Sequence, residues 1–138
     1  MSISSKSQDL EEDLALFDNW DEKWSYVIDL GKAFPIMERE ACTEENLIHG
    51  CQNKVYVRSY FDGQLVHYEG NSDAIIPRGL LSLLINVLGN ERPEDILTAS
   101  LEFIDRAGIR DNLSMLRASG LDAMVRRIKI EAAQYIKN

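Results

Sequence analysis

The chain has 138 residues, and its 15 lysines and arginines stand against 23 aspartates and glutamates, a net charge of −8. Hydrophobic residues make up 45% and charged residues 28%, the balance of an ordinary globular domain, which excludes a disordered, fibrous or disulfide-stapled chain. This acidity repels phosphate backbones and anionic headgroups, so no nucleic-acid or membrane partner is expected, whereas a basic face on another protein is compatible.

One domain over residues 1–138 is expected, with the small polar residues 1–8 flexible. Those residues lack the apolar stretch of a secretory signal. The most apolar run, Leu80 to Leu88, is broken by Ser82 and Asn86. It falls well short of the roughly 20 residues that span a bilayer. A cytoplasmic protein is therefore expected, in which Cys42 and Cys51 form no structural disulfide.

Leu10, Leu14 and Phe17 predict a short acidic helix from Asp9. Asn19 then opens a second helix as its cap, with Glu22 placed to return a capping-box bond to the Asn19 N–H. Trp20, Trp24, Val27 and Ile28 form an apolar stripe on one face of this helix, and Gly31 and Pro35 mark its end. Beyond Cys42 the period becomes two. Val55 to Phe61 reads as a strand, Asp62-Gly63 as a two-residue turn and Gln64 to Glu69 as the return strand. Leu47-Ile48-His49 supplies a candidate third strand.

From Asp73 onward the pattern is helical. A dense apolar helix through Leu80, Leu84 and Leu88 is central, capped by Ser72 or Asp73, with Pro77 in its opening turn. Pro93 starts another helix, Gly108 stops a third, and a last helix runs from about Leu121. On that last helix Arg126, Arg127 and Lys129 are a local basic exception. The fold class is α+β: a small antiparallel sheet of about three strands covered by helices.

The most suggestive chemistry lies in Gly50-Cys51-Gln52-Asn53. A glycine beside a loop thiol permits a sharp turn and close approach by another molecule, yet such a cysteine can equally fill a hole at the sheet edge. No second cysteine stands at dithiol spacing, and Cys42, Cys51, His49 and His67 match no familiar zinc pattern. His49, two residues from Cys51, is either a base for the thiol or a surface residue. Cys42 lies among carboxylates that disfavour a thiolate, which points to a structural role. The glycines form no phosphate cradle.

Five segments occur together in a familiar order: Asn19-Trp20-Asp21-Glu22-Lys23, then Gly50-Cys51-Gln52 before Val55, then Gly70-Asn71-Ser72-Asp73-Ala74, Pro93-Glu94-Asp95-Ile96, and Leu113 to Leu121. By these the chain resembles the SufE family, which includes SufE and its paralogue CsdE, over nearly its whole length. The resemblance implies an α+β fold akin to the IscU scaffold proteins. It also implies that Cys51 accepts sulfane sulfur from the persulfide of a cysteine desulfurase of SufS or CsdA type. Under this resemblance the chain carries no cofactor of its own, pyridoxal phosphate belonging to the desulfurase, and the sulfur passes on to an Fe–S scaffold complex of SufBCD type. Gly50 and Gln52 would then support the loop. Asp73 and Arg117 match an acidic and a basic family position near it, as partner contacts or, respectively, as a helix cap and a donor to nearby carbonyls. Tyr56, Pro77 and Met115 depart from the common family pattern, which bears on partner choice. Two other readings are an allosteric desulfurase-binding module that carries no sulfur, and a thiol hydrolase built on His49 and Cys51.

Overall fold

Two serines start the first helix. Ser2 Oγ accepts from the Ser5 N–H at 3.0 Å and Ser5 Oγ from the Ser2 N–H at 3.1 Å, a reciprocal cap that opens α1, Ile3–Ala15. The computed structural model describes residues 2–136, and in it α1 begins well before Asp9. Residues 3–8, expected to be flexible, are helical, and Ser7 is buried. Their apolar stripe is too sparse to announce a helix. They are held instead by the cap and by Lys6, whose Nζ reaches Gly89 O at 2.8 Å and Glu91 at 2.7 Å.

Helix α2, Trp20–Ala33, is capped as expected by Asn19, whose Oδ1 accepts from the Glu22 N–H at 2.9 Å. The Glu22 carboxylate, however, takes the N–H of Asp18 rather than of Asn19. Gly31 does not end this helix. It lies inside α2 where a Cβ would stand 2.9 Å from the backbone nitrogen of Gly79. The chain leaves the helix at Phe34, extended as the residue before Pro35 must be.

Strands β1, Val55–Phe61, and β2, Val66–Ser72, pair antiparallel, with Phe61 opposite Val66 and Val55 opposite Ser72. The connection is a loop of residues 62–65 rather than a two-residue turn, and β2 starts later than Gln64. Asp62 sets this length, because its Oδ1 accepts from both the Gln64 and Leu65 N–H groups, and Gly63 takes φ +99°. The expected third strand shrinks to one bridge, Leu47 to Tyr56, with Ile48 N–H donating to Val55 O at 2.8 Å. A 3-10 turn at Glu44–Asn46 and the left-handed Gly50 leave no room for a longer extended segment. The sheet therefore has two strands.

His67 ties the loop to the far end of the next helix. Its Nε2 lies 2.7 Å from Asp62 Oδ2, its Nδ1 meets the side-chain oxygen of Asn90, and its ring stacks on Tyr60. The Asp62 carboxylate raises the His67 pKa, and His67 in turn holds Asp62 down to about 2. A histidine whose folded pKa is raised adds stability that is complete below its unfolded pKa and is lost as pH rises through the folded one. Nuclear magnetic resonance of the His67 ring should show titration above the ordinary histidine range, with loss of loop protection over the same interval. A ring titrating at or below that range removes the argument.

Helix α3, Ile75–Leu88, has Ala74 as its cap residue, not Ser72 or Asp73. Ser72 Oγ instead accepts from the Ala74 N–H and donates to Lys54 O at 2.9 Å, so it braces the approach to the helix. Pro77 falls in the first turn, where a missing N–H costs no intrahelical bond. Helices α4, Pro93–Leu97, and α5, Glu102–Arg106, follow, with Gly108 in a left-handed conformation after α5. Helix α6, Met115–Ala133, starts well before Leu121, capped by Ser114, whose Oγ accepts from the Arg117 N–H. Its exposed opening turn, Met115 and Leu116, carries no buried stripe.

The helix α3 is the hub, packed against α1, α2, α6 and β2. Leu80, Leu83, Leu84 and Leu88 are almost wholly buried, as are Val55, Val57 and Val66 of the hairpin. Burial on this scale supplies most of the drive to fold. The fold is α+β, a two-stranded hairpin covered by helices.

Candidate functional site

Cys51 lies on the loop between the Leu47 bridge and β1, and the backbone ahead of it turns at Gly50 with φ +97°. Any L side chain would be strained there, and its Cβ would also press on Ala123 at 3.3 Å. The turn carries the thiol against α6, where Sγ donates to Gly120 O at 3.5 Å and is half-buried. A Cβ at Gly120 would stand 3.5 Å from Sγ, in ordinary contact, so the thiol packs directly on this turn of α6. Pro77 and Leu80 of α3 and Leu116, Gly120 and Met124 of α6 wall a cavity of about 20 Å³ beside the sulfur. That is room for roughly one small atom group.

Burial pushes the Cys51 thiol above its ordinary pKa, and the positive charge of Arg126 opposes this only in part. At neutral pH the resting side chain is therefore a neutral thiol, protected from oxidants that attack thiolates.

The other expected site residues are distributed unevenly. Gln52 is exposed and lines the rim of the cavity with Asn53. Arg117 stands at the same rim, exposed. Among the described residues its guanidinium makes no hydrogen bond, so it is not a donor to nearby carbonyls. His49 faces away. Its Nε2 lies 3.4 Å from Glu44 Oε1, its side chain is 72% exposed, and it makes no hydrogen bond to Cys51. Asp73 neither caps α3 nor reaches the thiol cavity. It lines a separate, wider cleft of about 510 Å³ with Arg39, Cys42 and Lys54. Cys42 itself donates weakly to Glu38 O and accepts from Asn71. Among the described residues no three His, Cys, Asp or Glu side chains gather as a metal site.

Gly120, Arg126 and the α3 wall were not legible as site residues. A glycine interrupting the apolar pattern of α6 was the one signal of close backbone approach.

Fold and site together define a class: an α+β domain that shelters a single loop thiol under two helices. More narrowly, the chain belongs to the SufE family, whose model, described as an Fe–S metabolism associated domain, matches residues 8–132. It is 36% identical over 126 residues to an uncharacterized SufE-like protein of Rhizobium meliloti (strain 1021), covering 88% of this chain and 90% of the relative. A SufE-like protein of Rhizobium etli is 34% identical over 126 residues, covering 88% and 85%. The solution structure of a hypothetical protein from Thermus thermophilus shares the fold, with a TM-score of 0.78 and 20% identity over 94% of each chain. These relationships support a role in Fe–S metabolism. No helix among the described residues is long and apolar enough to cross a membrane.

Proposed function

We propose that the chain is a sulfur acceptor: Cys51 takes sulfane sulfur from the persulfide of a pyridoxal-phosphate-dependent cysteine desulfurase and hands it to an Fe–S cluster scaffold. The observation that carries this reading is the resting pose of Cys51, a lone loop thiol sheltered against α6 by one long hydrogen bond, 3.5 Å to Gly120 O. A group held so lightly beside a left-handed glycine can leave its cavity at low cost.

The step is an exchange. The Cys51 thiolate attacks the outer sulfur of the donor persulfide, a new S–S bond forms on Cys51, and the donor's S–S bond breaks. The donor cysteine departs as a thiolate. One sulfane sulfur changes carrier, no net oxidation occurs, and the Cys51 proton is released on ionisation. Burial raises the Cys51 pKa, and in this reading activation falls to the donor's site, where emergence from the cavity relieves the burial that suppresses ionisation. Cys42, in a separate cleft, is not placed to attack a Cys51 persulfide from within the chain. A hydrolase using His49 is disfavoured because that imidazole is turned to Glu44.

Incubation with a cysteine desulfurase and cysteine should add the mass of one sulfur atom to the peptide containing Cys51, reversibly by dithiothreitol. Stimulation of the desulfurase without any such adduct would instead establish an allosteric module.

A further inference from the structure

The basic stripe of α6 has one member that reaches the foot of the Cys51 loop. Lys129 is engaged elsewhere, on Ala99 O at 2.9 Å. Arg127, by contrast, donates from Nη1 to Leu47 O at 3.0 Å and from Nη2 to Glu45 O at 2.8 Å. Its Nε lies 4.0 Å from Glu131 on the next turn, and its side chain is only 22% exposed. The fork of a guanidinium suits two neighbouring carbonyls in a way a single ammonium does not.

Leu47 and Ile48, just beyond this clamp, are tied to Tyr56 and Val55. The opposite foot is held where Lys54 O accepts from Ser72 Oγ. Between the two feet run residues 49–53. Among the described residues, apart from the His49–Glu44 pair, the Cys51 bond to Gly120 O is the one side-chain tie that holds them. The fold thus presents a short stretch hinged at two fixed ends.

We infer that Arg127 is a positioning residue for Cys51. By fixing the carbonyls of Glu45 and Leu47 it confines motion to residues 49–53, so the thiol rests in one place and emerges along one short arc. Without the clamp this foot is left to the Leu47–Tyr56 bridge and the Ile48 N–H to Val55 O bond, which then fray more readily, and the entropy cost of presenting the sulfur rises. The consequence for transfer rests on the acceptor reading above, but the clamp itself can be read without any desulfurase.

The experiment uses the full chain in a Cys42→Ser background, with Arg127→Gln and Arg127→Lys. Iodoacetamide alkylation of Cys51 is followed in native buffer and in sub-denaturing urea. Loss of a charge-assisted hydrogen-bond pair should raise the Arg127→Gln alkylation rate about tenfold. Arg127→Lys should fall between it and the wild type. Both rates should be nearly independent of urea, as local opening requires. Wild-type rates in both variants would overturn the inference, as would rates that climb with urea in step with global unfolding. So would a Lys variant that fails to fold, because a clamp on one loop does not hold the core. Sulfur loading is measured in parallel. If alkylation changes as stated and the wild type never gains sulfur, the acceptor reading fails while the clamp stands.

Discussion

Cys51→Ser should abolish sulfur acceptance and leave the fold in place. The hydroxyl is smaller than the thiol and its shorter bond to Cβ draws it back from Gly120 O, so one weak hydrogen bond is lost while the loop backbone keeps its course. The expected change in stability is within about 1 kcal/mol, since only one weak hydrogen bond of a half-buried group is lost. The chemistry does not survive, because a serine hydroxyl is not ionised near neutrality and its oxygen cannot hold a persulfide. The mass gain disappears, and desulfurase turnover falls to the rate seen without the carrier. Size-exclusion or calorimetric binding to the desulfurase should change little, because the substitution leaves the loop backbone unaltered. A serine variant that stimulates the desulfurase as strongly as the wild type would end the acceptor reading. It would also favour the allosteric one, since docking would then account for the whole effect.

Local pattern and long-range approach were not equally visible in this chain. The strand Val55–Phe61 could be read to the residue because Val55 and Val57 must face the core while their neighbours do not. Asp62-Gly63 announced a reversal but not its length, which depends on where the Asp62 carboxylate finds N–H donors. The starts of α1 and α6 escaped because serines and exposed apolar residues build those first turns, and neither leaves a periodic stripe. At the site, Gly50-Cys51 was conspicuous as a glycine beside a loop thiol. Its partners were not. Gly120 is 69 residues away and Arg127 is 80 residues from the Leu47 carbonyl it holds. The neighbour that makes Cys51 sheltered is set by how α6 crosses the loop, a fact of packing that no local spacing encodes.

The second large effect concerns that packing. Helices α2 and α3 cross at Gly31 and Gly79, and both glycines are buried. A Cβ at Gly79 would stand 2.6 Å from Val27 O and 3.0 Å from Val27 C, and one at Gly31 would stand 3.0 Å from the Gly79 Cα. These are backbone atoms, which cannot turn aside as a side chain would. Arg78 spans the same crossing, from Nε to Gly31 O at 2.7 Å and from Nη2 to Phe34 O at 3.2 Å, so separating the helices stretches those bonds too. Gly79→Ala in an isolated helix would gain about 1 kcal/mol from propensity alone. Here overpacking costs about 1–3 kcal/mol and the lengthened Arg78 bonds add to it, so the net sign is destabilising. For a domain of this length each kcal/mol lowers the melting temperature by about 3 °C. Gly79→Val should lose considerably more than Gly79→Ala. Because Pro77 and Leu80 on the same helix wall the thiol cavity, displacing α3 should also speed alkylation of Cys51. A Gly79→Ala melting temperature at or above that of the wild type would mean that the crossing has slack and that α3 does not set the cavity wall rigidly.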